Sequence, residues 1–201
     1  MFEFDPEVVR AFETQLDPVH PEAGGIPAKV IGYGEISCVL QIRDDENLVF
    51  KRMAGFESEE QTGAYQRVIE EYCGILQEAG IRAAETAFVT VPGPNSGYAL
   101  YLVQPRMPGE TLGNARLAEL DGDRLQRLVR DTMTALCGLW TRNAEHGPEE
   151  LVGLDGQISN WAYRESGAGF ELVYFDVGTP FIRRNGREQL DGSVHMKAMP
   201  F

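Results

Sequence analysis

From Lys29 to Met53 the chain reads KVIGYGEISCVLQI, RDDEN, LVFKRM: three short apolar runs separated by two short turns. Runs rich in Val, Ile and Leu and bounded by Gly, Asp and Asn read as strands, and RDDEN reads as a hairpin turn. The first turn holds Gly32, Gly34 and Ser37 as G-x-G-x-x-S. Glycine lets a backbone come close to a phosphate and aim N–H groups at it, although hairpin turns use glycine as well. Lys51 sits inside the third run on the face of Val49 and Met53, while Phe50 and Arg52 take the other face. A lysine on an apolar strand face must snorkel to water or find an anion. Placed on the strand after the glycine hairpin, Lys51 lies beneath that loop, within reach of a phosphate held there.

The flanking segments are equally legible. A short helix over Pro6 to Leu16 leads into a Pro/Gly-rich connection. Residues 58–79 are helical, with Ser58 as cap, Gly80 as terminator, and Ala64, Val68, Tyr72, Ile75, Leu76 and Ala79 on one face. The same wheel turns Glu70 away from the apolar face and sets Glu71 beside it. Spacing allows either carboxylate to hold Lys51, and amphipathicity favours Glu71. Two further strands, TAFVTV (86–91) and YALYLV (98–103), close the first half, joined by PGPNSG. The pattern breaks at QPRMPGETLG (104–113) and then turns helical. Asp121 or Asp123 caps a helix carrying Leu125, Leu128, Val129, Thr132, Leu136, Leu139 and Trp140. A loop with Asp155, a brief strand at Trp161–Tyr163, a turn at SGAG and a strand ending at Asp176 follow.

Composition narrows the function. The formal net charge of −13 disfavours nucleic acid and anionic membrane surfaces as partners, so an anionic ligand needs locally placed cations, backbone N–H groups or a metal. No apolar stretch approaches the roughly 18 residues of a membrane span, and MFEFDPEVVR lacks the pattern of a signal peptide. Cys38, Cys73 and Cys137 are scattered, odd in number and without a CxxC, which reads as reduced thiols of a cytoplasmic protein. The three histidines show no zinc-ligand spacing.

Two acidic motifs complete the set. LDGQISNWAY brings Asp155 and Asn160 into one loop, and YFDVG sets Asp176 before Val177 and Gly178. Asp and Asn offer hard oxygen ligands that suit magnesium. Asp155 is placed to orient a substrate hydroxyl or accept its proton. Either motif alone could be a capped turn; five motifs in this order are much harder to explain as turns.

The ordered set resembles the eukaryotic-like kinase fold, and more closely its small-molecule branch of aminoglycoside and choline kinases, over about residues 28–182. The resemblance implies an α+β chain with a protein-kinase-like, antiparallel five-stranded N-lobe bearing one helix (residues 1–103, with an N-terminal helical extension). A hinge (104–113) and a truncated, mainly helical C-lobe with a small hairpin (114–201) follow. It implies ATP and magnesium as cofactors and a small hydroxylated molecule as acceptor. By its motifs, Gly32, Gly34 and Ser37 cover the phosphates and Lys51 grips them, with Glu70 or Glu71 as its helix partner. Gln104, Pro105 and Met107 line the adenine edge, where Pro105 can only accept and Met107 donates. Asp155 is the catalytic residue, and Asn160 and Asp176 hold the metal.

Departures from that pattern bear on turnover. Gly153 stands where the family has histidine, and Leu154 where it has arginine or glycine. Gln157 takes the place of a lysine or histidine and offers a γ-phosphate a hydrogen bond but no charge. The chain also ends, at MKAMPF, before the family's further C-lobe helices. The expectation is a fragment of a longer protein or a reduced relative. A kinase-like nucleotide-binding module without turnover is the competing reading.

Overall fold

Hairpin connections set the first sheet. The computed structural model describes residues 2–34, 37–93, 97–167 and 169–194. The hairpin tip at 35–36, part of the PGPNSG turn, Ala168 of the SGAG turn and the terminal MKAMPF lie outside the described residues. Two units partition the chain: Met1–Gln66, Glu85–Arg106 and Asp191–Phe201 form one, and Arg67–Ala84 with Met107–Leu190 form the other.

The first unit is a five-stranded antiparallel sheet built from β1 (Ala28–Tyr33), β2 (Ser37–Ile42), β3 (Leu48–Phe56), β4 (Ala87–Pro92) and β5 (Tyr98–Pro105). Its spatial order is β1-β2-β3-β5-β4. The three expected N-terminal strands are all present, and β3 runs three residues further than its apolar run. Its pairing with β5 shifts register between Met53 and Phe56, where Gly55 takes φ 93°. Strand alternation sorts the side chains onto two faces. Leu48 and Phe50 of β3, Leu40 and Ile42 of β2, Val89 and Val91 of β4, and Tyr101 and Val103 of β5 bury one face together with Val9, Phe12 and Leu16. Those last three come largely from helix α1 (Pro6–Thr14), which Asp5 caps by accepting the Glu7 N–H at 2.9 Å, with Pro6 pre-set for the first turn. The N-terminal helix is therefore part of the core of its unit and not an appendage.

Lys51 lies on the opposite face, paired across the ladders with Val39 and Leu102. Here helix α2 (Glu59–Glu78) begins. Ser58 caps it through its hydroxyl, which accepts the Gln61 N–H at 3.1 Å. Thr62 meets Thr90 of β4 at 3.0 Å, and Tyr65 packs edge-on against Phe56 with ring centroids 5.4 Å apart. The buried face of α2 is Thr62, Tyr65, Ile69, Tyr72, Ile75 and Leu76, whereas Ala64 is exposed. The expected face was therefore rotated towards the wrong side in the first turns, because small Ala64 contributed to the wheel as much as large Tyr65.

The second unit takes the rest of α2, then α3 (Gly113–Glu119) and α4 (Gly122–His146). Two small sheets complete it. β7 (Trp161–Ser166) and β8 (Gly169–Tyr174) make the expected hairpin. β6 (Glu150–Gly153), β9 (Phe181–Arg184) and β10 (Arg187–Glu188) form a second sheet that the periodicity did not suggest. Asn185 and Gly186, with φ 48° and 75°, form the two-residue turn between β9 and β10, the Asn-Gly combination that positive φ at both positions favours. Helix α4 buries Leu128, Thr132 and Leu139 as expected but leaves Val129 and Trp140 exposed. Arg142 takes a place in the buried set instead. Among the described residues, no helix is long and apolar enough to cross a membrane.

Candidate functional site

The glycine hairpin and the lysine meet within the first unit. The Gly34 N–H donates to the Ser37 carbonyl at 2.8 Å, closing the β1–β2 turn. A Cβ added at Gly34 would stand 2.6 Å from Ser37 Oγ and 3.8 Å from Lys51 Cε, so the lysine stem runs directly under this turn. Ser37 Oγ is buried and has no hydrogen-bond partner among the described residues. A buried hydroxyl left in that state calls for an acceptor or donor. The Gly34 N–H is therefore engaged within the turn.

Gln104 and Pro105 are the last two residues of β5. Gln104 pairs with Val49 and Pro105 with Leu48, and Gln104 Nε2 donates to Thr86 Oγ1 at 2.9 Å. The β4–β5 ladder stops at the Ala87–Val103 pair, two positions short of Pro105. Arg106 gives its N–H to the Asn47 carbonyl at 2.7 Å. In the second unit, Met107 packs on an apolar cluster of Ala84, Ala162, Val173 and Phe175.

The two acidic motifs converge in the second unit. Asp155 Oδ1 accepts the Gln157 N–H at 3.1 Å, and the Gln157 carbonyl accepts the Asn160 N–H at 3.0 Å, so the loop folds on itself. Asn160 Nδ2 reaches the Asp155 carbonyl at 3.5 Å. The Asn160 carbonyl takes the Phe175 N–H at 3.1 Å, which ties the loop to the residue preceding Asp176. Trp161 then opens β7, fully buried, with its ring edge-on to Tyr174 at 5.1 Å. Burial, and then the charges of Asp176 and Asp155, push the Tyr174 phenol above its ordinary range. Gln157 is exposed.

Glu70 and Glu71 are both exposed on α2. Glu71, which amphipathicity favoured for the lysine, gives its carboxylate to Arg184 of β9. Arg184 also holds Glu150 at 2.7 Å, and Glu150 in turn pairs with buried Arg142. No spacing in the sequence pointed to this network, since its members come from α2, α4, β6 and β9.

Other residues that shape the loop were also missed. Asn143 of α4 brackets Val152, donating to its carbonyl at 2.7 Å and accepting its N–H at 3.0 Å. Gly113 opens α3 so close to the loop that a Cβ there would stand 2.0 Å from the Ile158 carbonyl oxygen. Gly113 closes the PGETLG segment, and its role could be read only as a glycine in a break.

A family model described as a family of unknown function, DUF6206, matches residues 19–197. The chain belongs to that family. No curated protein matches it. Among solved structures, the GDP and kanamycin complex of APH(2")-IIia is 12% identical, with a TM-score of 0.46 over 76% of this chain and 67% of that one. The GDP complex of wild-type aminoglycoside 2'-phosphotransferase-IIIa is 16% identical, with a TM-score of 0.38 over 59% of this chain and 37% of that one. WbdD is 15% identical, with a TM-score of 0.42 over 82% of this chain and 35% of that one. The matched part of this chain thus spans little more than a third of each of the latter two.

Proposed function

We propose that this protein is an ATP- and magnesium-dependent phosphotransferase acting on a hydroxyl of a small molecule, on a protein-kinase-like fold. Residues 1–103 serve as its N-lobe, 104–113 as the linker, and 114–201 as part of its C-lobe. The observation that carries the reading is the hydrogen bond from the Phe175 N–H to the Asn160 carbonyl, which ties the Asp155–Asn160 loop to the residue before Asp176. Hard oxygen donors of this kind are what the chemistry needs.

The nucleotide's phosphates fit the first unit's features. Ser37 Oγ is a buried hydroxyl without a partner among the described residues, and Lys51 passes under Gly34. Lys51 supplies the charge for the α- and β-phosphates, and Gly32 and Gly34 put no side chain of their own in the way of a phosphate. Of the two helix carboxylates, Glu71 is engaged by Arg184, which favours Glu70 for the lysine-pairing role. Gln104, Pro105 and Met107 take the adenine edge, and the apolar cluster under Met107 suits a base.

Asn160 and Asp176 would hold magnesium. No group of three or more His, Cys, Asp or Glu side chains suited to a metal occurs among the described residues. A magnesium ion is commonly held by one or two carboxylates and completed by phosphate and water. Bound there, it would neutralise charge on the transferring phosphoryl group. Asp155 orients the acceptor hydroxyl, and Gln157 offers an uncharged hydrogen bond to a phosphate oxygen. Positioning and electrostatics carry the rate.

A nucleotide-binding module without turnover is the second reading. It is favoured by the Asp155 carboxylate capping its own loop through the Gln157 N–H, as in an ordinary Asx turn. Calorimetry with ATP and magnesium, followed by a hydrolysis assay and an Asp155→Asn variant, tests both. Binding with turnover that Asp155→Asn abolishes supports the enzyme. Binding without turnover supports the module, and no binding overturns both.

A further inference from the structure

Gly156 follows Asp155, and Gly153, the last residue of β6, stands two residues before it. Glycine restrains the backbone least. A buried tyrosine approaches this stretch from an element distant in sequence. Tyr72, on α2, donates its hydroxyl to the Gly153 carbonyl at 2.9 Å.

Tyr72 sits in the buried face of a helix. Its hydroxyl is thus held by a rigid element and aimed at the backbone two residues before Asp155. It need not touch a substrate to act.

We propose that Tyr72 is a positioning residue for Asp155. Its hydroxyl holds the backbone at Gly153 and so sets the direction of the Asp155 carboxylate. This rests on the reading of Asp155 as the acceptor-orienting residue, but the brace has its own readout.

The test is Tyr72→Phe, which removes the hydroxyl and keeps the ring. Amide hydrogen exchange on the whole protein, without nucleotide, reads the brace directly. The expected result is exchange at residues 153–157 at least tenfold faster in the variant, with β7 and β8 amides unchanged. Where turnover is measurable, kcat falls at least tenfold while KM for magnesium-ATP stays within twofold. Unchanged exchange at 153–157, or acceleration spread evenly through the unit, overturns the proposal. Absence of turnover in the unaltered protein counts against the phosphotransferase reading and leaves exchange to decide the brace.

Discussion

Arg52 grips Glu13 with both arms of its guanidinium, Nε to Oε2 at 2.8 Å and Nη2 to Oε1 at 2.6 Å, while Tyr101 donates its hydroxyl to Oε2. Glu13 is 1% exposed, so this is a buried ion pair that ties α1 to β3 and β5. Arg52 follows Lys51 in the strand but occupies the opposite face. Removing one partner strands the other charge without water. Glu13→Ala should therefore cost about 3–5 kcal/mol in urea unfolding. Glu13→Gln, which keeps two hydrogen-bonding atoms, should cost less. Equal stability of Glu13→Ala and the unaltered protein would mean that the ion pair adds nothing to the packing of α1 on the sheet.

Gly113→Ala should disturb the Asp155 loop without touching it chemically. The added methyl meets the Ile158 carbonyl at 2.0 Å, and backbone cannot yield as a side chain can. An overpacking cost of about 1–3 kcal/mol is expected, read as a lower thermal midpoint. Exchange at residues 157–160 should rise most.

Gly34→Ala addresses the other unit. Its methyl would press on Ser37 Oγ and touch Lys51 Cε, at the place assigned to the phosphates. Stability should change little, because the contacts are side-chain ends. Calorimetric affinity for magnesium-ATP should drop at least tenfold. An unaltered dissociation constant would remove this turn from the nucleotide site.

Glu150 makes the acid limb of stability specific. Hydrogen bonds from Arg142 and then Arg184 hold its pKa below the ordinary glutamate value. A carboxylate depressed on folding stabilises above its unfolded pKa, about 4.3, and that contribution is lost as pH falls through the lower folded value. Unfolding followed between pH 6 and roughly pH 3 should show this loss. Glu150→Gln should flatten the slope in that window. An identical slope in the variant would assign the acid sensitivity to other carboxylates.

By itself, the sequence determined which segments become strands and helices wherever the signal is local. Alternation at Leu48–Met53, the Ser58 cap with Gly80 after the helix, and the hairpin from Trp161 to Tyr174 could each be read from neighbouring residues. The Asn-Gly turn at 185–186 was equally legible and was overlooked, and with it the β9–β10 hairpin. The candidate residues could also be named in advance, because each belongs to a short motif. Tertiary structure alone decided what those residues meet. Periodicity favoured Glu71 for the lysine, but Arg184, far along the chain, takes its carboxylate. Nothing local marks Glu13 for burial; Arg52 and Tyr101, on strands far along the chain, close around it. Tyr72 read as core packing, and only the fold brings its hydroxyl to Gly153. The physical reason is the same in each case: helix and strand preferences act between near neighbours, whereas ion pairs and buried hydrogen bonds join residues that chain topology, and not spacing, places together.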